Sequence, residues 1–381
     1  MTTSQGPPTP AGEGTTKRGG SRASGPFRDP ARIVGVDVAR GLAVLGMFGA
    51  HVGVTEAFDW PRPDTWLDVV DGRSSVLFAL LAGLSIAIIS GRMRPVDGVK
   101  LVQARVRIFT RAALIFVLGG LLEALGTRVA VILPAYAVLF LLILPFLRWR
   151  VPNLFLLAGG LSVVMPILHA VLVPEGELRG SPPIVDLLVT GTYPGMIWIV
   201  FFLAGLGIGR LDLLATAVRV RLLAVGLALA AAGYGLGFLA ASTVDGDSLL
   251  FTIEAHSGST FEVVGSTGFA IAVLALCLFI ADGIPWVVYP IAAVGSMALT
   301  AYSVHLLVAY FLGNVVATQL DNTLYVQFVV GALIACSLWK AFVGRGPLEQ
   351  ILTWVSRRAA RITPAAAGRL GRDSSKGNTT L

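Results

Sequence analysis

Residues 33–51 read Ile33-Val-Gly-Val-Asp37-Val-Ala-Arg40-Gly41-Leu-Ala-Val-Leu-Gly-Met-Phe-Gly-Ala-His51. The stretch is apolar, rich in glycine and about as long as a helix must be to cross some 30 Å of hydrocarbon. Yet it carries Asp37, Arg40 and His51. On a helix Asp37 and Arg40 are neighbours three apart. The step from Arg40 to His51 is about three turns plus 20°, so all three share one face over roughly 21 Å. An unpaired charge at the bilayer centre costs about 2.5–3.5 kcal/mol, so that face is expected to look into the protein or a wet cavity. Two readings stay open. Asp37–Arg40 is an ion pair at headgroup level with His51 a neutral interfacial residue, or the face is a polar track leading to a histidine base. Histidine suits the second, because its unperturbed pKa of about 6.5 lets it take and give a proton near neutrality. The charges, and the lack of a clear small-residue cleavage site, make the run a retained first helix rather than a signal peptide.

Outward from this helix the pattern repeats. Ten apolar runs are expected to span a membrane, at roughly 34–54, 74–91, 108–126, 129–147, 152–173, 194–211, 220–242, 265–282, 287–316 and 324–343. The fold class predicted is all-α, a polytopic transmembrane bundle of about 10 (10–11) helices. The ninth run is too long for one straight helix, and Pro290 with Gly295-Ser296 predicts a break in it. A 55% hydrophobic, 13% charged composition leaves too little polar surface for a water-soluble globule of 381 residues. No internal repeat is visible, which weakens a transporter reading.

Residues 1–30 are rich in Gly, Pro, Ser and Thr and read as a disordered basic tail, followed by a membrane domain at 31–356 and a basic C-terminal tail at 357–381. Sorted by alternate sides of the ten spans, 24 of the 29 Lys and Arg fall on the side of the N-terminus. Four fall opposite, Arg62, Arg73, Arg128 and Arg179, and Arg40 lies inside the first span. Fourteen acids, among them Glu56, Asp59, Asp64, Asp68 and Asp71, fall on the far side. The positive-inside rule then places both termini in the cytoplasm and the chain, multi-pass, in the plasma membrane. The net charge of +7 is accounted for by these loops and anionic lipid headgroups, so no nucleic acid is expected as a partner. Cys277 and Cys336 both sit in apolar runs, and the four histidines form no metal motif, so no metal is expected.

Other candidates are weaker one by one. Arg105 and Arg111 run into the third apolar segment, where guanidinium groups suit phosphates; positive-inside decoration explains them equally. His256 and Glu262, in His256-Ser-Gly-Ser-Thr-Phe-Glu262, stand before the eighth span and are candidates for contacting a substrate. His305, within Leu299-Thr-Ala-Tyr302-Ser-Val-His305, reads either as a substrate contact or as a core histidine bonded to a carbonyl.

At Asp37-Val-Ala-Arg40-Gly41 with Met47 and His51 the sequence resembles the transmembrane acyltransferase superfamily, and within it the YeiB-like group related to the catalytic domain of heparan-α-glucosaminide N-acetyltransferase. Gly72-Arg-Ser-Ser-Val-Leu-Phe78, Phe202-Leu-Ala-Gly205-Leu-Gly-Ile-Gly209-Arg210, Gly295-Ser-Met-Ala-Leu-Thr300-Ala-Tyr302 and Gly346-Pro347-Leu348-Glu349 extend the likeness over most of residues 32–358. Arg40 and His51 also fit the Arg-x10-His pattern of the related acyltransferase-3 family, where the histidine is implicated in acyl transfer from cytoplasmic acyl-CoA. The heparan enzyme differs, with an asparagine in the place of His51 and a histidine farther along the loop, where this chain has Trp60-Pro61.

The resemblance implies a membrane-bound acyltransferase that moves an acetyl or other short acyl group from cytoplasmic acyl-CoA, with acetyl-CoA the expected co-substrate, to a hydroxyl or amine in or across the membrane. The expected partners are the bilayer and a small-molecule, glycan or lipid acceptor. His51 is the implied base, Asp37 orients Arg40, and Arg40 with Arg105 and Arg111 holds the donor's phosphates; His256, Glu262 and His305 are the acceptor-side candidates. The alternative is a transporter or flippase that uses the Asp37/Arg40/His51 face as a proton or anion path.

Overall fold

A chain with so many apolar runs must satisfy its backbone polar groups internally, and helices do this segment by segment. The computed structural model describes Met1 and residues 32–127, 129–173, 182–243, 250–313 and 321–361. Among these residues the regular elements are helices: α1 Val34–Val52, α2 Arg73–Ile89, α3 Gly98–Glu123, α4 Leu133–Leu142, α5 Val151–Leu172 and α6 Gly195–Gly209. They continue as α7 Thr216–Thr243, α8 Thr260–Gly283, α9 Pro285–Ser296, α10 Ala298–Leu312, α11 Asn322–Phe342 and α12 Pro347–Ala359. Each of the ten expected runs is helical over most of its described residues. Six of the described helices are long and apolar enough to cross a membrane, or up to eight spans if each of two bent pairs counts as one. The runs at 108–126 and 129–147 fall short of that test for physical reasons. α3 carries Lys100, Arg105, Arg107 and Arg111, and α4 stops at Leu142, before a tight turn that contains Pro145. The basic tail expected from 1–30 lies outside the described residues, as do Arg128, Arg179 and residues 362–381.

α1 sits in the middle of the bundle. It packs against α2, α8, α9 and α11 and is buried over most of its length. Its small residues allow this. A Cβ on Gly41 would collide with the Ile291 carbonyl of α9, and one on Gly295 would collide with the Asp37 carbonyl of α1. The two backbones therefore approach at a distance only glycine permits. α5, α7 and α11, by contrast, leave most of their surface exposed, as helices bordering lipid do.

The ninth run breaks where Gly295-Ser296 predicted it. α9 and α10 meet at Met297 with a bend of 73°. The orphan amides at the start of α10 are satisfied from a distant part of the chain. Leu299 N–H and Thr300 N–H donate to Glu349 Oε1 at 2.8 and 3.1 Å, and the Thr300 hydroxyl donates to Oε2 at 2.6 Å. A carboxylate at a helix N-terminus also meets the positive end of the helix dipole. Glu349 stands in the first turn of α12, a basic amphipathic helix that packs on α3.

Candidate functional site

α1 carries one cavity at each end. Toward its C-terminus a cavity of about 660 Å³ is lined by His51, Asp71, Ser74, Ser75, Tyr193, His256 and Tyr302 among others. His51 Nδ1 and His305 Nε2 share a hydrogen bond of 2.9 Å, with the two rings nearly parallel at 14°. His305 is buried on α10 and held between Phe48, 4.6 Å centroid to centroid, and Tyr302 at 5.1 Å. Its Nδ1 is buried with no hydrogen-bond partner among the described residues.

His256 reaches the same cavity from the 250–259 loop. Its ring lies parallel to Trp198 at 6.3 Å and meets the edge of Tyr193 at 5.5 Å. The residue has a φ of 62°, a left-handed conformation unusual for a side chain with a Cβ. Burial lowers the His256 pKa below its ordinary value, and the Asp71 carboxylate opposes the shift. The Tyr193 phenol is pushed up, by burial first and by Asp71 second. The cavity thus offers neutral imidazoles and phenols with one nearby carboxylate.

Toward the N-terminus of α1 lies a second cavity of about 420 Å³, lined by Arg40, Arg107, Arg111, Ser85, Tyr136 and Glu349 among others. Arg40 donates to Asp37 Oδ1 at 3.0 Å and to the Ser85 hydroxyl at 3.1 Å. Arg111 reaches only the Thr353 and Ser356 hydroxyls of α12, both at 3.4 Å. Arg107 Nε is buried with no hydrogen-bond partner among the described residues. Arg357 of α12 is near enough for its charge to act on Arg107 and Arg111. Glu349 offers little compensation, because its oxygens already cap α10. Such a concentration of guanidinium groups favours an anion, and phosphate above others. Tyr136 stands between the cavities: it lines this one, and its hydroxyl donates at 2.9 Å to the carbonyl of Ser75, which lines the other.

The expected site residues divide accordingly. Asp37, Arg40 and Arg111 meet at the first end of α1; His51 and His256 meet at the second. Three of the expected site residues line neither of these two cavities. Arg105 is exposed and lines neither cavity, because it faces away from the Arg107–Arg111 side of α3, while Arg107 and Arg111, four apart, share a side. Glu262 does not line the His51 cavity. It accepts from the Ser266 hydroxyl, and the network continues through Tyr234 to Arg73, tying α8 and α7 to α2. His305 lies behind His51 rather than in the larger cavity. Sequence reasoning missed Arg107, Asp71, Tyr193 and the histidine pair. Only the i, i+4 spacing of Arg107 and Arg111 carried a signal, since the other groupings join helices far apart in the chain. Among the described residues no group of three or more His, Cys, Asp or Glu is arranged to hold a metal ion.

Two family models match the chain. The one described as heparan-alpha-glucosaminide N-acetyltransferase, catalytic, matches residues 32–224, and the one described as protein of unknown function (DUF418) matches residues 208–359. No curated protein matches it. The first match covers α1 to α6 and the start of α7, with Arg40, His51, Arg107 and Arg111; the second contributes His256, His305 and α12. Both cavities are therefore built from both matched regions.

Proposed function

We propose that this chain, which belongs to the heparan-alpha-glucosaminide N-acetyltransferase catalytic family, transfers an acetyl or other short acyl group from cytoplasmic acyl-CoA to a hydroxyl or amine. The observation that carries the reading is the pairing of cavities on α1, arginines at one end and a hydrogen-bonded histidine pair at the other. The ends are separated by roughly 16 Å of helix rise between Arg40 and His51. An extended thioester with its phosphates at the first end and its acyl group at the second fits that spacing.

In this account Arg40, Arg107 and Arg111 hold the donor's phosphates, with Asp37 fixing Arg40. His305 accepts at Nε2 from the His51 Nδ1–H. This leaves His51 Nε2 with a free lone pair, and a neutral imidazole so oriented is a general base. The acceptor's proton passes to His51 Nε2 as its oxygen or nitrogen attacks the thioester carbonyl carbon. The carbon–sulfur bond then breaks, and the CoA thiolate takes the proton back from His51. His256, Asp71 and Tyr193 surround the space where the acceptor would lie. His305 acts through His51 and is a positioning residue.

The test is release of free CoA from acetyl-CoA by purified protein given a panel of sugar, amine and alcohol acceptors. Time-dependent release matched by acetyl appearing on an acceptor is the expected result. Solute flux in proteoliposomes without CoA release would replace the transferase by a transporter.

A further inference from the structure

Next to the Arg40 cavity α12 forms a second basic pocket. It has a volume of about 320 Å³ and is lined by Arg345, Gln350, Thr353, Trp354, Arg357, Arg358 and Arg361. Arg345, Arg357, Arg358 and Arg361 have no carboxylate partner among the described residues. Two exposed arginines elsewhere are neutralised, Arg62 by Glu56 and Asp64 and Arg148 by Asp97, while Arg94, Arg105, Arg150 and Arg221 are exposed singly without an ion pair among the described residues. Trp354 is 65% exposed and carries the Arg358 guanidinium 5.7 Å from its ring centre. The wall of the pocket is fixed, since the Arg345 carbonyl accepts from Trp339 Nε1 at 3.0 Å and Gln350 Nε2 at 2.9 Å. The pocket adjoins the Arg40 cavity. Arg111, which lines that cavity, donates to Thr353, which lines this one, and Arg357 lies close to both Arg107 and Arg111.

We propose that this arginine–tryptophan pocket seats the 3′-phosphoadenosine end of a CoA thioester, so that the chain takes CoA donors rather than pantetheine thioesters that lack the nucleotide. The inference rests on the acyl-CoA reading above and adds to it the part of the donor that sets specificity. Three features of the pocket favour a nucleotide over a lone phosphate. Four uncompensated guanidiniums match a phosphomonoester with fork-like hydrogen bonds. An exposed indole beside them offers a flat apolar surface for a base. The adjoining Arg40 cavity supplies a second anion site, as a molecule with phosphates at two separated places requires. A phospholipid headgroup shares the phosphate chemistry but has no flat base to set on Trp354.

The experiment uses the full chain in zwitterionic nanodiscs and measures binding of CoA, 3′-dephospho-CoA and 3′,5′-ADP. The parent is expected to bind 3′,5′-ADP, and to bind CoA about tenfold or more tightly than 3′-dephospho-CoA, the scale of one charged hydrogen bond. Arg358→Ala/Arg361→Ala, at exposed positions that leave packing intact, should lose both properties, and Trp354→Leu should weaken 3′,5′-ADP binding. Equal affinity of the parent for CoA and 3′-dephospho-CoA overturns the proposal, as does a double variant that keeps the preference. A second set of nanodiscs contains anionic phospholipid. If it abolishes 3′,5′-ADP binding and the double variant loses only retained lipid, the pocket is a lipid headgroup site and the proposal fails. The two levels separate cleanly. CoA release without discrimination between the two CoA forms sinks the pocket alone, whereas 3′,5′-ADP binding without any CoA release sinks the transfer reading alone.

Discussion

The two ends of α1 meet burial in opposite ways. At the Arg40 end three guanidiniums crowd one cavity, with Arg357 close behind, and one of them, Arg107, keeps a buried Nε without a partner. At the His51 end imidazoles and phenols surround one carboxylate, Asp71: His51 shares a hydrogen bond with His305, whose Nδ1 is buried without a partner among the described residues, and His256 lies among Trp198 and Tyr193. Uncompensated charge is costly within a membrane protein and persists where a ligand of opposite sign completes it. Neutral imidazoles stacked on aromatics are cheaper to bury and remain able to accept a proton. The difference is the ground for the proposed division of labour, an anion at the first end and proton transfer at the second. The glycine-mediated contact of α1 with α9 holds the two at a fixed separation.

The largest effect is expected from loosening that contact. Gly295→Leu drives a side chain into the Asp37 backbone, and it should abolish accumulation of folded protein, read by size-exclusion profile and thermal melt. If a folded, active variant were recovered, the rigid link between the ends would be wrong. Next, Arg111→Ala should raise the KM for acetyl-CoA by about 10–100-fold with kcat nearly unchanged, since it removes a charged contact to the donor, on the scale of about 1.5–3 kcal/mol. A fall in kcat at constant KM would move Arg111 out of the donor site. His305→Asn should lower kcat by about tenfold, less than losing the base itself, and leave donor affinity alone; a change confined to KM would contradict a positioning role.

A pH experiment sharpens the His end. Burial holds the folded pKa of His256 below its unfolded value, with Asp71 opposing. As pH falls through the unfolded value of about 6.5, the unfolded chain takes up the proton first, and stability drops. The stability this residue contributes is therefore present above that pH and lost below it. His256→Asn, a residue that tolerates the left-handed backbone, should flatten the fall in melting temperature between pH 7 and pH 5. Identical slopes in parent and variant would mean His256 is not buried as described. The smallest effect is expected at Arg62→Ala. This arginine is paired with Glu56 and Asp64 on an exposed loop, where solvent and salt screen such pairs, so melting temperature and donor binding should not change measurably.

Much of this organisation is legible in the sequence because bilayer physics is strict. Each apolar run is helical over most of its described residues, and the broken run bends at the glycine–serine pair. The Asp37–Arg40–His51 face follows from helical spacing alone; Asp37 is buried, while Arg40 and His51 are half-buried where they line the two cavities. What was not legible depends on which helices touch. His305 lies 254 positions from His51, and nothing local marks it as a partner. Glu349 caps α10 across about fifty residues, so its motif was visible but its task was not. α12 was read as the margin of a polar tail at Arg357 and Arg358, because its apolar side is narrow and its cohesion with the bundle comes from packing on α3. Glu262 looked like a cavity residue for being charged near a loop, whereas its carboxyl turns toward Ser266 within its own helix.

The central claim is that one helix joins a donor site to a base, and a single variant tests it most directly. Parent and His51→Gln are purified to the same melting temperature, and each is measured for acetyl-CoA affinity and for the rate of acceptor-dependent CoA release. Glutamine can hydrogen-bond to His305 but takes no proton near neutrality. The account predicts unchanged acetyl-CoA affinity and a release rate lower by about 10²–10⁴-fold. A well-folded His51→Gln that releases CoA within a few-fold of the parent would contradict it.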